Sequence, residues 1–146
     1  MDRELKSLVA KLNEQNIPYA LCGGLAMAVH GHPRATLEID LVAFKGSAPK
    51  IEKIAHELGY TLRAAPMKFT AGQDAITRVS KVSREDEDVL PLDILVLDHA
   101  IECILECDEM EWENTKLRVI TRESLIKLKQ LRNNHQDKAD IEKLAS

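Results

Sequence analysis

The stretch that most constrains the fold is residues 19–44, YALCGGLAMAVHGHPRATLEIDLVAF. A short apolar run ends at Gly23-Gly24, a small-residue helical segment follows, and a second apolar run carries Glu38 and Asp40. Alternate side chains of a strand point to one face, so both carboxylates are expected to project together. A glycine pair that opens a helix offers backbone N–H groups to an anion. The stretch therefore predicts a site for a metal-bound polyphosphate.

A third acid, Asp93, interrupts the apolar run VLPLDILVL at residues 89–97. A lone charge in a buried strand is costly unless it is paired or bound to a metal. Mg²⁺ prefers oxygen ligands, and two ions about 3.5–4 Å apart can serve phosphoryl transfer. The alternative is that Asp93 lies on an exposed strand face and pairs with a lysine or arginine.

The order of these residues resembles a known signature. An apolar residue, Gly-Gly, thirteen residues and then acid–apolar–acid–apolar is similar to the signature of the DNA polymerase beta-like nucleotidyltransferase superfamily. Residues 23–44 are especially similar to small bacterial members related to abortive-infection toxin nucleotidyltransferases. The tail over residues 125–144 resembles their closing helices.

The resemblance implies a metal-dependent enzyme. Such an enzyme moves a nucleoside monophosphate from an NTP, ATP among them, to a hydroxyl acceptor and releases pyrophosphate. Mg²⁺ would be the cofactor, with Mn²⁺ as an alternative, and RNA or protein could supply the acceptor hydroxyl.

The family's site residues carry over to matching positions. Gly23 and Gly24 match the turn that binds the triphosphate, and Lys129 would compensate phosphate charge. Asp93 matches the third acid, which also assists deprotonation of the acceptor, so Asp40 and Asp93 are the candidate catalytic pair. The candidate metal ligands are Glu38, Asp40 and Asp93.

Two further candidates for binding the nucleotide, Arg34 and Thr36, lie on the approach to the acids. Thr36 alternates with Glu38 and is expected on the same face of the strand, where it could contact phosphate. The alternatives are a surface salt bridge for Arg34 and a plain strand-forming role for Thr36.

One position departs from the family pattern, which usually has Asp where this chain has Glu38. The extra methylene shifts the carboxylate by roughly 1–1.5 Å on a fixed backbone, and both Mg²⁺ geometry and catalytic positioning are sensitive on that scale. The alternative function is therefore a catalytically degenerate nucleotide-binding or regulatory module, as part of a toxin–antitoxin-like pair. A third reading is an interaction protein whose acids are surface charges.

Composition limits the surroundings of the chain. A net charge of −4 argues against non-specific binding to nucleic-acid backbone, which requires a basic surface. No apolar run approaches the length of a membrane span, and the charged start lacks a signal-peptide core. Three cysteines without an export signal indicate reduced thiols in the cytoplasm. A protein partner or a homodimer is the assembly considered.

The chain length of 146 residues predicts one domain over 1–146. Apolar periodicity predicts an α+β fold with a mixed twisted sheet and flanking helices, which the resemblance identifies as a minimal nucleotidyltransferase palm. Helices are predicted at 3–15, 25–30, 47–59, 98–107, 122–132 and 137–145. Strands are predicted at 19–22, 36–44, 60–64, 76–82, 89–97 and, as an edge strand, 116–120, with an acidic loop at 106–113.

Overall fold

The computed structural model describes residues 1–69, 75–84 and 86–146. Six helices occur in this part of the chain: α1 (Asp2–Glu14), α2 (Gly23–Val29), α3 (Ala48–Glu57), α4 (His99–Glu102), α5 (Arg122–Arg132) and α6 (His135–Ala145). The strands are β1 (Tyr19–Cys22), β2 (Ile39–Ala43), β3 (Leu62–Arg63), β4 (Met67–Lys68), β5 (Ala75–Val82), β6 (Val89–Val96), β7 (Cys107–Trp112) and β8 (Thr115–Ile120).

All eight strands belong to one mixed sheet, in the order β3-β5-β6-β2-β1-β8-β7, with β4 also paired to β5. β2 runs parallel to β6 and β1 runs parallel to β8, whereas the other pairs are antiparallel. The predicted α+β class with a mixed sheet and flanking helices is confirmed. In the β2–β6 register Asp40 lies directly opposite Asp93, so the topology brings two distant acids together.

The core that supports this register is mainly aliphatic. Leu8 and Leu12 of α1, Leu41 of β2 and Ile94 of β6 are all completely buried. Full burial of one such side chain stabilises the fold by about 1.5–3 kcal/mol. The central strands that carry the acids are therefore held by continuous apolar packing.

The strand that carries Asp40 begins later than predicted. The apolar alternation predicts a strand over 36–44, but β2 begins at Ile39 and Glu38 lies in a bend just before it. The Thr36 hydroxyl donates to the Glu38 carbonyl oxygen at 3.3 Å. Such local side-chain bonds compete with the ladder of a sheet, so Glu38 reaches the site from outside the strand.

The region after β6 differs most from the prediction. The helix predicted over 98–107 is only the four-residue α4, and the acidic segment predicted as a loop over 106–113 contains β7. Glu113 and Asn114 both have positive φ, 49° and 61°, which is the conformation of a two-residue type I′ hairpin turn. This turn pairs β7 with β8, so β8 lies inside the sheet rather than at its edge.

Of the two closing helices, α5 begins at Arg122 as predicted, whereas α6 begins at His135, two residues before its predicted start at 137. Thr121 precedes α5, and its hydroxyl accepts a hydrogen bond from the Ser124 N–H at 3.1 Å. Asn133, at φ 53°, ends α5 in the left-handed conformation, and Asn134 then caps α6 through a reciprocal capping box with Asp137. No helix in the described part of the chain has the length and apolar character needed to cross a membrane.

Candidate active site

Three carboxylates converge where β2 and β6 lie side by side. Glu38, Asp40 and Asp93 each offer an oxygen, and these oxygens all lie within 4.8 Å of one another. We call these three acids the carboxylate cluster. Asp93 is buried, while about a third of the Glu38 side chain is exposed, 36%. The cluster thus combines hard oxygen donors in the arrangement that a divalent cation uses.

Asp40 lies against the glycine turn. A Cβ atom at Gly23 would fall 2.2 Å from the Asp40 Oδ2 atom, and Gly23 also has φ +66°. Only glycine satisfies both the close approach and the left-handed backbone. Among the described residues no hydrogen-bond donor reaches the Asp40 carboxylate, so its oxygens remain available to a ligand.

The electrostatics of the cluster favour a cation. Burial, followed by the charges of Glu38 and Asp93, raises the pKa of Asp40 to about 8. Burial, followed by the charge of Asp93, also raises the pKa of Glu38, although Arg78 opposes this shift. Carboxylates that raise one another's pKa are relieved by an added positive charge. The donor set therefore fits a divalent metal ion.

Sequence reasoning missed Arg78, which binds two members of the cluster. Its Nε donates to Asp93 Oδ1 at 2.7 Å, and its Nη2 donates to Asp93 Oδ2 and Glu38 Oε2, each at 2.8 Å. Arg78 on β5 stands opposite Asp93 on β6. The only signal in the sequence is one arginine in the middle of the predicted strand 76–82. The alternative partner for Asp93, a basic side chain, is therefore present together with the acid cluster.

The basic residues on the other side of the cavity form an ion network with α6. Lys129 Nζ donates to Asp140 Oδ2 at 2.8 Å and is itself only 4% exposed. Arg34 Nη1 contacts both Asp140 oxygens at 2.6 and 2.7 Å, and Arg132 makes a bidentate pair with Asp137 at 2.8 and 2.7 Å. We call Arg34, Lys129, Arg132, Asp137 and Asp140 the ion network.

The pKa values of the acids in the ion network are shifted in the direction opposite to those of the carboxylate cluster. Burial acts to raise the pKa of Asp140, but hydrogen bonds from Lys129, Gln136 and Arg34 outweigh it and hold that pKa below its usual value. The pKa of Asp137 is lowered in the same way by Arg132 against the effect of burial. Lys129 thus shares its acidic partners with Arg34 and Arg132.

Thr36 packs directly on the second glycine of the turn. A Cβ atom at Gly24 would lie 3.0 Å from the Thr36 Cβ atom. Both residues face the same cavity as the acids. The structure therefore places Thr36 between the glycine turn and Glu38.

One cavity of about 400 Å³ joins these groups, within the size range of small-molecule sites. All eight residues proposed from the sequence line it: Gly23, Gly24, Arg34, Thr36, Glu38, Asp40, Asp93 and Lys129. Arg132 and Asp137 also reach it, and its apolar lining includes Phe69, Ile76, Leu95, Leu125 and Leu128. Acidic, basic and apolar side chains therefore all face one cavity; the roles of the eight residues remain predictions.

The fold is similar to several solved structures. The lincosamide antibiotic adenylyltransferase LnuA, bound to lincomycin, has a TM-score of 0.60 at 15% identity and covers 100% of this chain and 97% of its own. ANT(2″)-Ia, in complex with adenylyl-2″-tobramycin, has a TM-score of 0.59 at 14% identity, over 99% of this chain and 88% of its own. A candidate nucleotidyltransferase from Thermotoga maritima gives 0.60 at 17% identity, over 94% and 87%.

The sequence itself is less informative. No protein-family model matches it, and no curated protein sequence matches it. The likeness therefore rests on the path of the chain.

Proposed function

The chain has the nucleotidyltransferase fold, and on that premise we propose that it transfers a nucleoside monophosphate from an NTP to a hydroxyl acceptor. The observation that supports this most is the convergence of Glu38, Asp40 and Asp93 within 4.8 Å beside the turn at Gly23. A nucleotidyl transfer needs a cation site and a phosphate site in one cavity, and this cavity contains candidates for both.

The carboxylate cluster would hold the metal, Mg²⁺ or Mn²⁺. When bound, the metal would stabilise negative charge on the phosphates and lower the pKa of the attacking hydroxyl. Asp40 would be one ligand, because its carboxylate is half-buried and accepts no hydrogen bond from the described residues. Glu38 and Asp93 would be the other two metal ligands.

The glycine turn and the basic residues that line the cavity would bind the triphosphate. Gly23 and Gly24 begin α2, where the first backbone N–H groups of a helix have no partner inside it. Arg34 and Arg132 line the cavity while paired with acids of α6. Lys129 would act on the phosphates through its charge rather than by direct contact, because Asp140 already binds its ammonium group.

In the proposed reaction the acceptor oxygen forms a bond to the α-phosphorus of the NTP. The bond from that phosphorus to the bridging oxygen of the β-phosphate breaks, and pyrophosphate leaves with the electron pair. The proton of the acceptor hydroxyl passes to the Asp93 carboxylate, which faces the cavity. Positioning and charge stabilisation by the fixed groups supply most of the catalysis in such a reaction.

The structural neighbours suggest which substrates to test first. LnuA is named an adenylyltransferase, and ANT(2″)-Ia is seen with an adenylylated tobramycin, so ATP is the first donor to test. Small hydroxylated molecules join RNA and protein as acceptor classes. Within this proposal residues 1–146 act as one catalytic domain in the cytoplasm, alone or as a homodimer or with a protein partner.

The test is transfer of label from each α-³²P-NTP to cellular RNA, cellular protein and a panel of small hydroxylated compounds, with Mg²⁺ or Mn²⁺. Asp40→Ala should lose the transfer, whereas Asp2→Ala, an exposed acid on α1, should retain it. Transfer by the natural chain no faster than by Asp40→Ala would overturn the proposal.

The second candidate function, nucleotide binding without turnover, is favoured by Glu38 at the position where the family usually has Asp. Calorimetry with ATP, GTP, CTP and UTP separates the two functions. Binding of one nucleotide, with no product in any acceptor fraction, would support the regulatory module instead of the enzyme.

A further inference from the structure

We infer that Arg78 is a positioning residue that holds Glu38 and Asp93 in the arrangement a divalent cation requires. This inference rests on the proposed function, because it assigns a role within the same site. Arg78 is not among the described residues that line the cavity. It would act through the two carboxylates that it binds.

The contacts of Arg78 are specific to the cluster. One guanidinium donates two hydrogen bonds to Asp93 and one to Glu38, all between 2.7 and 2.8 Å. Within the described residues, its side chain has no other hydrogen-bond or ion-pair partner. The planar fork of arginine fixes the orientation of a carboxylate that it binds through two atoms. Asp93 is therefore oriented by Arg78, and Glu38 is tied to Asp93 through a shared nitrogen.

Arg78 leaves the cluster open toward the cavity. Glu38 and Asp93 line the cavity, but Arg78 is not among the described residues that do. The guanidinium thus reaches both acids from outside the cavity. The three acids also keep oxygens within 4.8 Å of one another while these hydrogen bonds are made. Each carboxylate oxygen has a second lone pair, so one oxygen can accept from Arg78 and still bind a cation.

The same contacts explain how glutamate serves at position 38. Glu38 begins outside β2, and its side chain is 36% exposed, so little packing fixes it. Its hydrogen bond to Arg78 supplies the missing restraint. An aspartate at this position would draw the carboxylate back by one methylene, away from the Arg78 Nη2 atom. Glu38 and Arg78 therefore form a matched pair, and Glu38→Asp should weaken the site rather than restore it.

A different role for Arg78 predicts the opposite change in metal affinity when Arg78 is replaced. If Arg78 merely neutralised the acids, its charge would oppose the metal, and its removal would strengthen metal binding. Arg78→Lys separates the two roles, because lysine keeps the positive charge and loses the bidentate fork. Arg78→Met removes both.

The first experiment measures the Mn²⁺ dissociation constant by calorimetry and by the free Mn²⁺ signal in electron paramagnetic resonance. Arg78→Lys should weaken Mn²⁺ binding about 10- to 100-fold, as for other residues that orient metal ligands. Arg63→Lys is the matched control, because Arg63 is an exposed strand arginine that pairs with Glu52, and it should bind Mn²⁺ as the natural chain does. Glu38→Asp should show a similar loss of Mn²⁺ affinity. The double variant Glu38→Asp/Arg78→Lys should lose less affinity than the product of the two single fold-changes.

Unchanged or tighter Mn²⁺ binding by Arg78→Lys or by Arg78→Met overturns the inference. A second outcome overturns the proposed function alone. In that outcome the natural chain binds Mn²⁺ and Arg78→Lys binds it more weakly, but no nucleotidyl transfer occurs. Absence of Mn²⁺ binding by the natural chain overturns both.

The second experiment needs no catalysis and no comparison of affinities. The ¹⁵N-labelled Arg78 Nε–H should exchange slowly with water in the metal-free chain and lose that protection in Glu38→Gln/Asp93→Asn. Saturation with diamagnetic Mg²⁺ should leave the protected signal in place. Its disappearance on addition of Mg²⁺ would mean that the cation displaces Arg78, which contradicts a positioning role.

Discussion

The carboxylate cluster and the ion network face the same cavity and solve the burial of charge in opposite ways. In the ion network every charged side chain has a partner of opposite sign, and the pKa values of Asp137 and Asp140 are lowered. In the carboxylate cluster one arginine pairs with two of the three acids, and the pKa of the third, Asp40, is raised to about 8. The network is therefore complete without a ligand, whereas the cluster is not.

The opposite pKa shifts indicate that the ion network stabilises the fold, whereas the carboxylate cluster serves binding. Paired acids with lowered pKa values add to the free energy of unfolding at neutral pH. An acid with a raised pKa subtracts from it, and such groups concentrate where a protein binds or reacts. The two clusters should therefore respond differently to substitution and to pH.

The largest effect is expected from Lys129→Met in the ion network. This change leaves Asp140 and Asp137, both fully buried, without their central cation. Loss of one partner from a buried charge pair destabilises a protein by about 3–5 kcal/mol. Urea unfolding measures it, and Lys127→Met, an exposed lysine on the same helix, is the control with little expected change. A loss no larger than that of the control would show that the network does not support the fold.

A smaller effect is expected from Gly23→Ala beside the cluster. The new methyl group would overlap the Asp40 carboxylate at a position with φ +66°, which should cost roughly 2–4 kcal/mol. Gly31→Ala is the matched control, because Gly31 also has positive φ, +92°, but nothing within 4 Å of the added atom. Its cost should be about 1 kcal/mol. Equal free energies of unfolding for the two variants would mean that the contact with Asp40 adds nothing.

A gain in stability, rather than a loss, is expected from Asp40→Asn. Between pH 4 and 8 the folded chain holds a proton on Asp40 that the unfolded chain has released, so the natural chain loses stability as the pH rises through this range. Asparagine cannot ionise, so the free energy of unfolding of Asp40→Asn should exceed that of the natural chain by an amount that grows from pH 4 to pH 8, with little difference near pH 4.

Asp140→Asn provides the opposite case for the same measurement. The pKa of Asp140 is lowered, so its contribution is present above the ordinary aspartate pKa and is lost as the pH falls through the folded value. This variant should be less stable than the natural chain at pH 7, with a deficit that shrinks in acid. Unfolding free energies at pH 2, 4, 6 and 8 for both variants would test the comparison, and parallel curves would contradict it.

The parts of the site that the sequence revealed are local. Gly23, Glu38 and Asp40 lie in one stretch, and the interrupted apolar run made Asp93 visible. Arg78 could not be found in this way, because its partnership with Asp93 depends on the β5–β6 register. Lys129 was found, but its buried partner Asp140 lies beyond the left-handed turn at Asn133, so its pairing required the packing of two helices.

The helices and strands could likewise be predicted where the local sequence alone determines the element. The apolar faces of α1 and α3 and the Thr121 cap of α5 identify those helices, whereas the Asn134 cap of α6 was missed. β7 was not predicted, because its exposed positions carry acids instead of the strand-forming residues that are typical of a half-buried strand. Its partner strand and the Glu113-Asn114 turn determine its conformation.

The acidic character of β7 has a consequence for how molecules of this protein meet. β7 pairs only with β8 in the described sheet, so its other side presents unpaired backbone N–H and C=O groups. Such an edge can template the addition of further strands and lead to aggregation. Asp108, Glu109 and Glu111 are exposed along it, and a second copy aligned there would place acid against acid. The strand thus protects the chain from fibrous self-association by mutual repulsion.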